Sequence, residues 1–421
     1  MLEIQKFLKS FVNLEAGNRL LQQKFAVEVK QDLLTLGDET TEVVWIYNYT
    51  DKARGNIRLE NEARGLILNG AGDIVSMGFS RFFRYDSCPS HRLLWEFANV
   101  EQQYDGTQLG VYAYQDNYFI QTRYSACADE PLPQDPSTTY YDAAYEILSQ
   151  KFPDDPFGIF RTHNENDKYT WVFEFISPKN VFVTPYTYTD LILLSAFNKE
   201  IPGEILPEYV DQFAGEYRFS QPAYKRVGNI REATEVLERI DPLEEGLVIV
   251  DHRLHRAKLP NPAYTALKQV LTLNPSDLRP RHFAELVLKS DPEKIANYYP
   301  QFGGILHFLQ EVIDDLMEEL QTIWMLYSIA DTKSVFAEEV KNHPFSHLLF
   351  MAWEGKIKDM SDALKYIKPK QLVGLATIYH ETQLQTAFDR AKTASAKGYD
   401  TRFYEPVERG KAKKEASEYA V

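Results

Sequence analysis

Cysteine is scarce: Cys88 and Cys127 are the only two in 421 residues. Two thiols make neither a disulfide framework nor a four-ligand zinc site, and they fit a reducing compartment. Positive charge is short as well, with 46 Lys and Arg against 61 Asp and Glu, a net charge of −15. Affinity for phosphate backbones comes mainly from Lys and Arg. The balance weighs against a broad nucleic-acid-binding surface and leaves room for a local basic groove. No apolar run reaches membrane-spanning length, so no membrane association is expected. Met1 to Leu20 carries Glu3, Lys6, Lys9 and Glu15 and does not read as a signal peptide. Repeats at solenoid periods are absent. So is a Gly-x-Ser-x-Gly elbow. Asn69-Gly70-Ala71-Gly72 reads as a hairpin turn and not as a phosphate loop, because no Gly-Lys-Ser/Thr follows it. The histidines show no metal-ligand spacing and are expected on the surface or in loops. Lysine is missing from every position between Lys52 and Lys151.

What is present is ordinary for a soluble chain of two or three domains: 44% hydrophobic and 25% charged residues, rich in aromatics with 26 Tyr and 25 Phe. Residues 1–40 read as helical, with a turn near Leu36-Gly37-Asp38. Val43 to Tyr49 is rich in β-formers and reads as a strand. Gly110 to Ser125 alternates apolar and polar residues around Gln115-Asp116-Asn117, a β-hairpin. Tyr140 to Phe152 follows as a helix. Asn229 to Glu232 carries a capping-box pattern before a helix ending near Ile240. From Pro275 the composition turns helical. Ser276-Asp277 and Asp291-Pro292 are helix-start signals. Apolar residues from Ile305 to Tyr327 recur every three or four positions, one long amphipathic helix with an acidic face (Asp314, Asp315, Glu318, Glu319). Further helices are expected at Phe345–Trp353 and Ser361–Tyr366. Arg409 to Lys414 is a short basic stretch, and 405–421 is expected to be disordered.

Several blocks stand in a fixed order between residues 43 and 264. They are Glu62-Ala63-Arg64-Gly65, Arg81-Phe82-Phe83, Gln103-Tyr104-Asp105-Gly106-Thr107 and Thr122-Arg123-Tyr124-Ser125. Phe173-Glu174-Phe175 with Pro178-Lys179-Asn180 follows, then Glu245-Gly246-Leu247-Val248, and Lys258-Leu259-Pro260 with Asn261 to Tyr264. This ordered set resembles the motifs of ATP-dependent RNA ligases of the T4 RNA ligase 1 type, within the nucleotidyltransferase superfamily. The resemblance implies an α+β fold: a nucleotidyltransferase domain of antiparallel sheets with flanking helices over 1–270, then an all-helical C-terminal domain over 275–400. It also implies ATP and magnesium as cofactors, and a nucleotide or an RNA end as ligand. Arg64, Arg81, Asp105, Gly106, Arg123, Glu174, Glu245 and Lys258 would bind the nucleotide. Glu174 and Glu245 would face the metal. The setting it implies is the cytoplasm of a bacterial or virus-infected cell.

The chain departs from the family where the chemistry is. Active members attack the α-phosphate of ATP with a lysine that stands at the position of Gln103. An amide nitrogen cannot do this, because its lone pair is delocalised into the carbonyl. Pro260 takes the place of a second phosphate-stabilising lysine, Val181 that of an arginine, and Tyr124 that of a glycine. A single Lys-to-Gln change is what an engineered inactive variant would carry. Several departures at one pocket suggest a natural loss of catalysis. The first reading is a ligase fold that cannot form lysyl-AMP and binds a nucleotide, an RNA end or a protein partner. The alternatives are a working ligase, including one that accepts pre-adenylylated RNA, and a pure interaction module that docks a protein through its acidic helical domain. In the last case the remaining pocket charges would pair with one another.

Overall fold

The computed structural model describes residues 1–87, 93–163 and 168–396. Cys88, His91 and the basic stretch Arg409–Lys414 lie outside them. The chain divides into two compact units. Of the described residues, the first comprises Met1–Ile240 and Glu244–Pro260; the second comprises Asp241–Leu243 and 261–396. The architecture is α+β, with antiparallel sheets in the first unit and helices in the second.

Three sheets build the first unit. The first is a meander of Val27–Thr35, Thr41–Tyr49, Arg64–Asn69 and Ile74–Ser76. The second orders Gly203–Glu204, Asp190–Asn198, Tyr169–Ile176, Thr107–Tyr114 and Asn117–Gln121. The third orders Tyr224–Val227, Ala98–Gln103, Gly246–Val250, Arg256–Pro260 and Phe83–Arg84. The expected hairpin is present: Gln115 and Asp116 both take positive φ, as a two-residue turn between strands requires. The segment 27–35, expected as helix, is a strand paired along its length with 41–49 (Val27 opposite Tyr49, Thr35 opposite Thr41). It is the edge strand of its sheet and mostly exposed, so cross-strand pairing, and not a buried apolar pattern, sets its conformation.

Aromatic packing holds the second sheet. Trp171 lies flat on Phe213 at 3.7 Å between ring centres, and Phe160, Phe173 and Phe219 close around them. Burial of rings of this size supplies most of the local stabilisation.

The second unit is helical. Its longest regular helix is Gly303–Tyr327, which buries Ile305, Leu309, Val312, Ile313, Leu316 and Leu320 on one face. The helix expected after Ser276-Asp277 starts later, at Pro280. Proline fixes the first-turn dihedral there, so it sets the start. Asp291 caps Pro292–Tyr298 as its sequence indicates. Met360–Tyr366 is a 3-10 helix. Within Pro280–Lys289, His282 is buried and its Nδ1 accepts from the Arg279 backbone N–H at 3.1 Å, so this histidine is a core residue and not a surface one. No helix among the described residues is long and apolar enough to cross a membrane.

Candidate nucleotide site

Gln103 ends the strand Ala98–Gln103 and pairs with Gly246, the residue after Glu245. Asp105 lies in the turn that follows and is buried. Its Oδ2 accepts from the backbone N–H groups of Val183 and Thr184, both at 2.7 Å, and its own N–H donates to the Tyr186 hydroxyl at 3.0 Å. Asp105 therefore clamps the loop after Tyr169–Ile176 beneath the Gln103 strand. Asn180, fully buried, fixes the same loop by donating to the Phe175 carbonyl at 3.1 Å and meeting Thr107 and Tyr140. Gly106 is required by contact. A Cβ there would stand 2.4 Å from the Phe175 carbonyl oxygen and 3.0 Å from Cγ of Glu174. Gly106→Ala is accordingly expected to destabilise the chain by about 1–3 kcal/mol, the range for overpacking, read as a lower urea midpoint. An unchanged midpoint would show that the strand gives way.

The cations come from the first sheet, from loops beside it and from the third sheet. Tyr49, at the end of its strand, lies between two guanidiniums, Arg81 at 4.4 Å and Arg123 at 4.3 Å from the ring centre. Arg81 also covers Phe83 at 4.9 Å and donates to the Ala53 carbonyl at 2.9 Å. Arg123 donates from Nε to Asn48 Oδ1 at 3.0 Å, the atom that also takes the Gly65 N–H at 2.9 Å. Gly65 itself has φ +68 and packs against the Arg123 backbone, which explains the glycine after Arg64. Arg64 donates to Gln108 Oε1. Burial lowers its pKa, opposed by Tyr49 and Glu174 and assisted by Arg123. Lys258, on the strand Arg256–Pro260, is likewise lowered by burial; Glu245 opposes this and Arg64 adds to it. Its ammonium lies 5.4 Å over the Phe82 ring.

The carboxylates complete the cluster. Glu174, on Tyr169–Ile176, has its carboxyl pushed up to about 8, first by burial and then by Glu245; Arg64 and Lys258 pull the other way. Arg64, Asp105, Arg123, Glu174, Glu245 and Lys258 are thus one electrostatic group drawn from all three sheets, with Arg81 joined through Tyr49. Among the described residues no carboxylate lies within 4 Å of the charged atoms of Arg64, Arg81, Arg123 or Lys258. These charges do not close on one another as ion pairs. Of the departures, Tyr124 is exposed and its ring flanks Arg123 at 5.3 Å. Val181 exchanges backbone hydrogen bonds with the Gln134 side chain, and Pro260 sits opposite Gly246. Tyr49 and Asn48 escape a sequence reading, because they end an ordinary run of β-formers. The one available signal is that Asn48 is a polar residue placed within an apolar strand.

Glu174 gives a pH test. Its folded pKa is above the unfolded value, so folding takes up a proton between about pH 4.5 and 8, and its contribution to stability is lost as pH rises through that window. Glu174→Gln, neutral throughout, should gain on the parent by roughly 1–2 kcal/mol from pH 5 to pH 8, the full linkage being reduced by residual solvent access. Parallel denaturation curves for the two proteins would refute this.

The first unit couples charged side chains drawn from three sheets. Residues 62–264, just under half of the chain, match the family described as RNA ligase. No curated protein sequence matches it. Among solved structures it is similar to an archaeal ATP-dependent RNA ligase (12% identity, 83% of this chain and 90% of that one, TM-score 0.47). It is also similar to a putative ATP-dependent DNA ligase from Aquifex aeolicus (18% identity, 73% and 79%, TM-score 0.43). A mutant of the Naegleria gruberi RNA ligase with ATP and Mn matches at 13% identity, over 58% of this chain and 80% of that one, with a TM-score of 0.34.

Proposed function

We propose that this chain is an RNA-ligase-like protein that binds a nucleotide, or the phosphorylated end of an RNA, in the Gln103 site without forming lysyl-AMP. One observation carries this. Arg64 is coupled to Arg123 and to Lys258, Arg81 shares the Tyr49 ring with Arg123, and none of the four has a carboxylate within 4 Å among the described residues. Part-buried cations left so are costly unless an anion meets them. Phosphate oxygens suit them, Arg64 and Arg123 as forked donors and Lys258 as a point charge.

Magnesium fits the same site. It is commonly held by one or two carboxylates together with substrate phosphates. Glu174 and Glu245 each raise the cost of the other's charge, which a divalent cation would relieve. Among the described residues no three His, Cys, Asp or Glu side chains form a metal-holding group by themselves, so the phosphates would complete the coordination. Bound there, the ion would neutralise charge on the phosphates.

Gln103 supplies hydrogen bonds and no nucleophile. The parent chain incubated with α-labelled ATP and Mg²⁺ should therefore carry no covalent label, while calorimetry should register ATP binding. Arg64→Ala should weaken that binding at least tenfold, as loss of a charge-assisted contact does. Covalent label on the parent would refute the loss of step one, and absence of ATP binding would refute the ligand.

A further inference from the structure

The turn after the strand Asn117–Gln121 carries a side chain that the proposed function leaves unused. Tyr124 stands where the motif resemblance places a glycine, and it is 55% exposed. The backbone admits a side chain there, because Tyr124 keeps φ out of the left-handed region. The turn itself is fixed. The Thr122 hydroxyl oxygen accepts from the N–H groups of Tyr124 and Ser125, both at 3.0 Å, and donates to Glu130 Oε1 at 2.6 Å. The Arg123 carbonyl accepts from Asn48 Nδ2 at 2.8 Å, and the Tyr124 carbonyl from the Lys30 ammonium at 3.0 Å. Three side chains thus hold the backbone that presents the ring, so little ordering remains for a ligand to bring about.

Tyr124 also extends an alternating stack. Arg81 lies 4.4 Å and Arg123 4.3 Å from the Tyr49 ring centre, and Arg123 lies 5.3 Å from the Tyr124 ring centre. Electrostatic coupling runs from Lys258 to Arg64 and from Arg64 to Arg123. The Tyr124 ring is the next neighbour in that series, with the Lys30 ammonium on its own carbonyl.

A lone exposed ring needs no explanation. A ring fixed against a guanidinium that suits phosphate has a use, because every nucleobase has a face that stacks on an aromatic side chain. A mononucleotide bound at the Gln103 site has one base, at one end of its phosphates. The ring beside Arg123 offers a place for a base at the other end.

We propose that Tyr124 is a specificity-determining residue that stacks the second base of a ligand in which two nucleosides are joined through their 5′-phosphates. The first nucleoside lies at the Gln103 end, the phosphates run across Arg64 and Arg123, and the second base lies on Tyr124. ATP, with nothing beyond its γ-phosphate, leaves the ring unused. A glycine offers no ring, so this subsite belongs to the departure of this chain from the motif. The inference rests on the nucleotide reading of the Gln103 site.

The test is calorimetry on the full chain with Mg²⁺, using ATP and a diadenosine tetraphosphate joined 5′ to 5′. The parent is expected to bind the diadenosine ligand about tenfold tighter than ATP, the scale of one stacked base. Tyr124→Ala should abolish that preference, and Tyr124→Phe should keep it, since stacking needs the ring and not the hydroxyl. The ratio of the two affinities is the readout. If Tyr124 only braces Arg123, Tyr124→Ala moves both ligands alike and the ratio persists, which overturns the subsite. Equal binding of the two ligands by the parent also overturns it and leaves the nucleotide reading standing. If neither ligand binds, the nucleotide reading falls and the subsite with it. A 5′-adenylylated oligoribonucleotide as third ligand separates the sources of this chemistry. A Tyr124-dependent gain there assigns the subsite to an RNA end, and a gain confined to the diadenosine ligand assigns it to a free dinucleotide.

Discussion

Gln103→Lys is expected to take up covalent label from α-labelled ATP where the parent takes up none, a gain from background to a measurable stoichiometry. The position suits the chemistry. Residue 103 ends a strand, pinned opposite Gly246 and followed by the Asp105 clamp, so a lysine there would project from a fixed backbone. Its amine would share the space of Arg64 and Lys258, both already lowered by burial, and a neighbouring cation in a dry site frees an amine lone pair near neutral pH. The second departure limits the gain. Pro260 faces Gly246 on the adjoining strand, where a further lysine would stabilise charge on the phosphates. Adding Pro260→Lys to Gln103→Lys should raise the labelling rate by roughly tenfold to a hundredfold, somewhat below the loss seen when one preorganised donor is removed from an active site. Three outcomes separate the readings. Label on both variants means an intact ATP pocket that lacks its nucleophile. Joining of pre-adenylylated RNA by the parent would make it a late-step ligase. Silence in every arm, with no ATP binding, would leave a ligase fold kept for its surface.

Motif order marks the proposed site in the sequence. Asp105, Gly106, Glu174 and Lys258 each sit in a block whose neighbours fix the register. Gly106 carries its reason in its surroundings, since a strand residue's carbonyl leaves no space for a Cβ. Tyr49 was not legible. It is one β-former among six in its run, and its importance comes from what surrounds it in space: Arg81 arrives from 32 residues downstream in the chain and Arg123 from 74. The strand Val27–Thr35 reads as helix in the sequence because Glu28, Lys30, Gln31, Leu33 and Leu34 are good helix formers. Pairing with Thr41–Tyr49 overrides that preference. The helix Pro369–Ala396 gave little signal. Its buried residues include two alanines, Ala376 and Ala391, and at His380 the backbone leaves helical geometry (φ −145), which breaks the period.

The contact of Phe97 with Arg226 is illegible for a related reason: the two come from separate segments, and the pairing of Tyr224–Val227 with Ala98–Gln103 brings them together. Arg256 is one step from Lys258 on the same face of its strand, but it belongs to a different network, as its pairing with Glu204 demonstrates.

Arg256→Ala is expected to cost about 3–5 kcal/mol, the loss that follows when one partner of a buried pair is removed. Both side chains are close to buried, 10% and 11% exposed. Arg256 meets Glu204 through two hydrogen bonds, Nη2 to Oε1 at 2.6 Å and Nη1 to Oε2, and its guanidinium covers Phe79 at 4.6 Å. Glu204 also accepts from Ser195 at 2.6 Å. Removing the cation strands more than Glu204. Glu101, two residues before Gln103, has its carboxyl pushed up to about 6 by burial, with Arg256 holding it down and Glu204 and Asp211 raising it. Without Arg256 these acids repel one another with no cation between them, and their pKa values rise further. At pH 8 they must stay charged in the folded state or take up protons at a cost. At pH 5 they take protons readily. The stability gap between parent and Arg256→Ala should therefore narrow as pH falls from 8 to 5, measured as urea midpoints at both values. Arg256→Met with Glu204→Gln, which removes the pair together and keeps an acceptor for Ser195, should recover most of the loss. If the single change costs under about 1 kcal/mol, or if the gap widens toward pH 5, the pair is not the buried tie between these two sheets that its geometry describes.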